Sequence, residues 1–365
     1  MAVEEKFKGK KNLNAAWDKI NKKFGAGTLM TLADEKPITS NLLSTGSLLI
    51  DKALGGGIGY GRLTELYGLE GSGKSTLCLQ IIAEAQKAGG VCAYIDVENS
   101  MDPVYASHLG VDTSKLIFSQ PTSAEEALDV VCILAETGDV NLIVLDSVAG
   151  LVPQAELDGE MGDVTVGLVA RLMSKFMRKI TGTLGEKNCA VVLINQIRQK
   201  ISTGWSAPGA ETTTTSGGNS VKFFCSQRIE LRKGAGIKNG TEVIGNKTKI
   251  KITKNRIAPP MKVVEVDMIY GEGFAAGNEV VDLGIEYDLI QKSGAWFSTH
   301  DGQRLQGKES VISYYKENPQ LAAELREMVK AKLNNSDTTL ISNDFTETLV
   351  DGTVVDSRTG EIIEQ

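Results

Sequence analysis

The apolar positions of the chain do not keep one period. Leu13, Trp17, Ile20 and Phe24 recur at i, i+4, i+7 and i+11, one stripe of an amphipathic helix that Gly25 and Gly27 terminate. The stripe is large for so short an element and needs a surface, within its own subunit or on a neighbouring one. From about residue 36 the pattern turns to near-continuous apolar runs at 63–67, 91–97, 142–145 and 190–194, with helical periodicity between them. Runs without alternation belong to strands buried on both faces, so an α/β fold with a mostly parallel central sheet is expected. The runs at 228–231, 249–253 and 263–270 lie closer together and alternate, as antiparallel strands on one side of that sheet would. Past about residue 273 a small mixed unit follows, with a strand at 294–297 and a helix at 319–333.

One stretch, 202–219, has no period; it is packed with Gly, Ser, Thr and Pro and carries Trp205. A loop of that length inside a compact domain is either functional or disordered. The formal net charge of −7 argues, taken alone, against a polyanionic partner. Between 166 and 204, however, Arg171, Lys175, Arg178, Lys179, Lys187, Arg198 and Lys200 stand against Glu186 alone, while seven acids face Arg358 between 334 and 365. The acidic balance hides a basic segment and an acidic tail with too little apolar content to promise order. No apolar run is long enough to cross a bilayer, and the lysine-rich start has no apolar core of a secretory leader. Cys78, Cys92, Cys132, Cys189 and Cys225 are scattered and form no CxxC pair, which fits buried thiols in a reducing cytoplasm.

The sharpest local signal is Gly68-Leu69-Glu70-Gly71-Ser72-Gly73-Lys74-Ser75-Thr76, a GxxxxGK[ST] motif between an apolar strand and a helix that continues from Leu77. Glycines there let successive backbone N–H groups face phosphate oxygens at the positive end of the helix. Lys74 is placed for the β- and γ-phosphates of a nucleotide and the Ser75 hydroxyl for Mg²⁺. Asp146 ends the run 142–145 and has the position of the second Mg²⁺ partner. Asp96 and Glu98 end a neighbouring run, at the sheet edge where open α/β folds bind ligands, and one of them, Glu98 by preference, would orient the attacking water. These parts describe a nucleoside triphosphatase without saying which.

Four further stretches narrow it. Ser44-Thr45-Gly46-Ser47-Leu48 with Gly61-Arg62 leads into the glycine loop, and Ile95-Asp96-Val97-Glu98 is followed by Asp102-Pro103-Val104-Tyr105. Ile194-Asn195-Gln196-Ile197-Arg198 precedes the long Gly/Thr loop, and Lys254-Asn255-Arg256-Ile257-Ala258 comes later. In this order, from about Asn14 to Leu333, the chain resembles the bacterial RecA recombinase family. The resemblance implies a RecA-type P-loop core at 36–272, an N-terminal polymerisation arm at 1–35, a small C-terminal domain at 273–333 and a tail at 334–365. It implies a helical filament that binds ATP and Mg²⁺, takes single- and double-stranded DNA, exchanges strands and has no membrane partner. Glu98 would then activate water, Asp102 and Tyr105 contact the adenine, and Gln196 sense the γ-phosphate and signal to the loop beyond it. Lys254 and Arg256 match a basic pair that reaches the γ-phosphate of the adjacent subunit. The family has lysine at both places, so Arg256 puts a planar fork where a point charge is usual.

The same resemblance maps a DNA surface. Arg171, Ser174 and Arg178 match backbone contacts on the helix after a first loop at 158–166, with Leu168, Leu172 and Phe176 as its apolar face. Arg198 leads into a second loop at 201–219, which ends in Gly217, Gly218 and Asn219. Val166 and Ile201 match the aliphatic residues inserted between base triplets, the first usually a methionine. Trp205 either stacks on a base or is merely exposed. A hexameric helicase shares this core, but here the N-terminal helix runs directly into it. A branch-migration relative carries the Lys-Asn-Arg motif but has paired cysteines that this chain lacks. A small-molecule kinase has no use for the glycine–threonine loop.

Overall fold

The computed structural model describes residues 7, 9–31, 41–160, 167–199, 213–274, 276–341, 346–348, 354–356 and 362–364. Alternation divides each apolar run between two cores. Leu142 and Val144 join Cys92, Tyr94, Val192 and Ile194 in one cluster, while Ile143 and Leu145 join Ala93, Ile95, Val191 and Leu193 in the other. Strands so buried on both faces must be central, and they are. The sheet contains β1 (Leu63–Gly68), β2 (Cys92–Asp96), β3 (Ile117–Ser119), β4 (Leu142–Asp146) and β5 (Ala190–Gln199). It is completed by β6 (Gln227–Asn239), β7 (Glu242–Asn255), β8 (Val263–Ile269) and β9 (Gly273–Phe274). The order is β9-β8-β7-β6-β1-β5-β4-β2-β3, with Thr213–Thr215 as a tenth strand beside β5. Pairing is parallel from β6 to β3 and antiparallel from β6 outward to β9, as the two kinds of run predict.

Two helices, Leu48–Leu54 and Lys74–Lys87, cover the first core; Ala124–Thr137 and Leu168–Lys187 cover the second. Met173, Phe176, Met177, Ile180 and Leu184 are the buried side of Leu168–Lys187. The expected face of Leu168, Leu172 and Phe176 is therefore turned: only Phe176 of the three is fully buried. The longer stripe of 173, 176, 177, 180 and 184 spans three turns and outweighs it.

Residues Met1–Asn41 form a unit of their own. Its helix, Lys11–Phe24, follows the expected stripe yet buries none of its side chains, and Phe24 is 64% exposed. At the other end, Ala276–Glu286, Lys308–Glu317 and Pro319–Ile341 enclose a third core around Val281, Val311, Leu325 and Val329, flanked by the sheet Gln291–Ser293, Trp296–Ser298 and Arg304–Gln306. The strand expected at 294–297 begins two residues later, and the helix expected to stop at 333 runs on to Ile341. In the tail, Thr346–Thr348, Val354–Asp356 and Ile362–Glu364 pair into a three-stranded sheet, more order than its composition suggests.

Leu48, from the core, belongs to this third cluster, and two buried carboxyls secure the junction. Glu279 accepts from the Ser47 hydroxyl and the Leu48 N–H; Asp51 accepts from Ser44 and Thr45; Arg326 donates to the Gly46 carbonyl at 2.8 Å. Burial pushes Asp51 up to about 6 and Glu279 up to about 7. The folded state thus holds protons that the unfolded chain has released. That stabilisation is complete below the unfolded carboxyl values and is lost as pH rises through the folded ones. The melting temperature is expected to climb from about pH 8 to about pH 5, and Glu279→Gln to flatten that slope. Parallel slopes for the two proteins in a calorimetric pH series would remove Glu279 from the account.

Candidate nucleotide and DNA site

The glycine loop leaves β1 at Gly68 and enters the helix Lys74–Lys87 at Gly73, whose φ of 90° lies in the left-handed region. A side chain there would also meet the Met268 sulfur at 2.6 Å. Two separate constraints, backbone and packing, therefore require glycine. Lys74 extends along the loop and donates to the Leu69 carbonyl at 2.9 Å. Burial lowers its pKa, opposed by the carboxylates of Asp146, Glu98 and Glu70. One residue on, the Ser75 hydroxyl donates to Asp146 Oδ2 at 2.7 Å, and the Tyr94 hydroxyl donates to the same oxygen at 2.6 Å. Burial raises the Asp146 pKa against both hydrogen bonds. A hydroxyl and a carboxylate held this closely form the hard oxygen pair that suits Mg²⁺.

Three strand ends bring in the remaining groups. Glu98, exposed just past β2, accepts from the Ser147 hydroxyl beyond β4 and from Gln196 Nε2 on β5 at 3.1 Å. Asp96, fully buried, has a different task. It accepts from the N–H groups of Ser100 and Met101 at 3.3 and 3.1 Å and from Gln120 at 3.3 Å, so it holds the turn that delivers Asp102 and Tyr105. Asp102 caps the helix Pro103–His108 by accepting from Val104 N–H, and the Tyr105 hydroxyl lies 2.9 Å from that of Thr76.

Lys254 and Arg256 are not with these groups. The sequence suggests a strand at the opposite edge of the sheet; β7 instead lies two places from β1, and it is the end of the strand that is opposite. Lys254 pairs with Arg228, which pairs with Glu65, three positions before Gly68. The separation is roughly 10 Å along the strands and about 10 Å across two strand spacings. The cause is the antiparallel return of β7, which carries its last residues to the amino ends of the parallel strands. There Lys254 donates to the carbonyls of Lys222 and Phe223 at 2.7 and 2.9 Å, and Arg256 to that of Phe223 at 3.3 Å. Burial, then the Arg256 charge, lowers the Lys254 pKa.

Of the residues expected at the DNA, Arg171, Arg178 and Arg198 are exposed, and Arg178 donates to Ser174 at 3.0 Å. Gly217 and Gly218 pack on the same helix: a side chain at Gly217 would meet Val148, Val221 and Met173, and one at Gly218 would meet Ala170. The helix Asn219–Phe224 follows directly. Val166, Ile201 and Trp205 lie outside the described residues. The end of the expected loop is ordered, since Thr213–Thr215 pairs with β5 through Ile197↔Thr215. Two residues take roles here that the sequence does not announce, Asp96 as a clamp and Asn195, whose buried amide bonds both Glu65 and Ser216. An isolated Asn in an apolar strand was the available signal.

The RecA N-terminal domain family matches residues 11–275 and the RecA C-terminal domain family residues 278–334. The chain is 50% identical over 328 residues to Protein RecA of Sulfurimonas denitrificans, covering 90% of this chain and 94% of that protein. It is 47% identical over 333 residues to Protein RecA of Chloroherpeton thalassium, covering 90% and 92%. A third relative, Protein RecA of Methylococcus capsulatus, is 47% identical over 326 residues, covering 88% and 92%.

Removing the Asp96 clamp should loosen the 100–105 turn without touching Glu98. Asp96→Ala is expected to weaken ATP binding about 10-fold, the loss of roughly one charged hydrogen bond, with kcat nearly kept. A nucleotide titration that gives wild-type affinity would show that the turn stands without it.

Proposed function

This chain belongs to the RecA family, and on that premise we propose how its residues divide the work of coupling ATP hydrolysis to DNA strand exchange. It is a DNA-dependent ATPase and a recombinase of that family. The glycine loop holds the triphosphate of ATP, with Asp102 and Tyr105 at the base. Ser75 and Asp146 hold Mg²⁺, which when bound neutralises phosphate charge. Glu98, aimed by Ser147 and Gln196, takes a proton from water as the water oxygen bonds the γ-phosphorus. The bond to the β–γ bridging oxygen then breaks and ADP remains. General-base help of this kind is worth roughly 100- to 10,000-fold.

Lys254 and Arg256 serve the next subunit. From the amino end of the sheet they cannot readily reach their own γ-phosphate, but a head-to-tail neighbour presents its site to that end. Such contacts need not close, so the product is an open helical filament, formed in the cytoplasm, with the arm at 1–35 docked on the adjoining subunit. Single-stranded DNA lies along Arg171, Ser174, Arg178, Arg198 and Gly217–Asn219, with Val166 and Ile201 between bases, and duplex DNA is the second substrate. The observation that carries this reading is the Gln196–Glu98 hydrogen bond. One side chain touches the hydrolytic carboxylate while its strand pairs with the end of the DNA loop.

Gln196→Ala is expected to bind nucleotide almost normally and to lose DNA stimulation of ATP hydrolysis; full stimulation in a steady-state assay would count against the switch. The pair is tested by mixing. A Lys254→Ala, Arg256→Ala protein and a Glu98→Ala protein should each be inactive, while mixed filaments recover part of the ATPase. The Glu98→Ala subunit lends its pair to a neighbour with intact Glu98. No recovery at any ratio, with mixed filaments seen by electron microscopy, would place the pair within its own subunit.

A further inference from the structure

We propose that Asn195 is the positioning residue that passes the state of the nucleotide, sensed at Gln196, to the closing end of the second DNA loop. The inference rests on the reading above and adds the route. The sequence suggests that Gln196 acts on the loop's beginning, because the chain runs straight from one into the other. The hydrogen bonds lead instead to its end.

Asn195 is fully buried and uses every polar atom of its side chain. Oδ1 accepts from the N–H of Gln196 at 2.9 Å and from that of Ser216 at 3.2 Å. Nδ2 donates to the Ser216 carbonyl and to Glu65 Oε1, both at 2.9 Å. One amide therefore grips both main-chain groups of Ser216. The ladder between β5 and Thr213–Thr215 ends at Ile197 and Thr215, so the amide continues it by one step where the main chains part.

A buried asparagine with all its bonds made is often no more than a satisfied core residue. Here the partners differ in their freedom. Glu65 is fixed: it is fully buried on β1 and paired with Arg228, whose guanidinium lies 4.5 Å from the centre of the Tyr67 ring. Gln196, inside β5, is the last residue paired with β1, and Ser216 lies just beyond the strand Thr213–Thr215. When Gln196 leaves Glu98 for a γ-phosphate, its N–H moves, and the amide, anchored on Glu65, can follow only by carrying Ser216. Gly217 and Gly218 come next, packed without spare space against Val148, Met173 and Ala170, so the displacement reaches the phosphate-contacting end of the loop.

The test measures binding of a fluorescein-labelled oligothymidylate with a non-hydrolysable ATP analogue and with ADP; the ratio of the two affinities is the coupling. Wild type should give a ratio of about 10-fold or more, within the usual range for coupled sites. Asn195→Asp cannot donate to Ser216 and sets a carboxylate against Glu65. Ser216→Pro removes the gripped N–H from a half-buried residue outside the strands. Both ratios should fall to about 2-fold, while Ser216→Ala, which keeps the main chain, retains the wild-type value. Nucleotide affinity and melting of Ser216→Pro should stay near wild type, so the proline–alanine contrast decides the matter even if Asn195→Asp fails to fold. A wild-type ratio in Ser216→Pro, or an equal loss in Ser216→Ala, overturns the route through Asn195. If wild type shows no ratio, or Gln196→Ala keeps it, the nucleotide-to-DNA reading itself falls, a different and separable result.

Discussion

Gly68 lies beside Gln196 and Asp96 beside Asp146 because the parallel strands β1, β5, β4 and β2 stay in register to their carboxyl ends. Nearly everything chemical in this chain depends on that alignment. A parallel ladder lets successive strands deliver their next residues to one rim, and each strand here delivers a different group: the glycine loop, the Glu98 carboxylate, Asp146 and the Gln196 amide. The apolar side chains below the rim fill two cores. They also fix the rim, since a one-residue slip of β4 would turn Leu142 and Val144 into the wrong core and carry Asp146 away from Ser75.

Against this rim, the antiparallel half works by reversal. β7 runs back toward the amino ends, and its last residues emerge at the end of the sheet away from the glycine loop. The buried Glu65–Arg228 pair sits where the two halves meet, with Arg228 beside Lys254 across the strands and Glu65 bonded to Asn195 on the other side. Breaking such a pair by removing one partner leaves a charge without compensation in the core, so it constrains geometry more than it adds net stability.

Local signals were legible in the sequence. The glycine loop needs only strand, turn and helix in succession, and its residues declare all three. The central strands declared themselves through unbroken apolar runs such as 142–145, and the antiparallel ones through alternation. What depends on pairing was not legible. In sequence Asn195 is like any residue of β5, and only its bonds to Ser216 set it apart; Asp96 reads as a candidate base, while its bonds to Ser100 and Met101 give it another task. The stripe of Leu168, Leu172 and Phe176 does not predict the buried side of Leu168–Lys187, because the longer stripe through Met173, Met177 and Ile180 takes the core. The direction of β7 is the exception, since Asn239-Gly240 between β6 and β7 marks the hairpin that turns the chain back and sets the location of Lys254.

Gly73 and Gly217 share a property with an evolutionary consequence. Each has a positive φ that side chains tolerate poorly, and each faces atoms that a methyl group would strike, Met268 and Phe274 for Gly73, Val148 and Val221 for Gly217. A lesion with a single cause can be suppressed by a compensating change nearby; trimming Met268, for example, would clear space above Gly73. The backbone strain would remain, because no neighbour can relieve it. Second-site suppressors of substitutions at these two positions should therefore be scarce, and drift at either one is closed to the lineage from two directions at once.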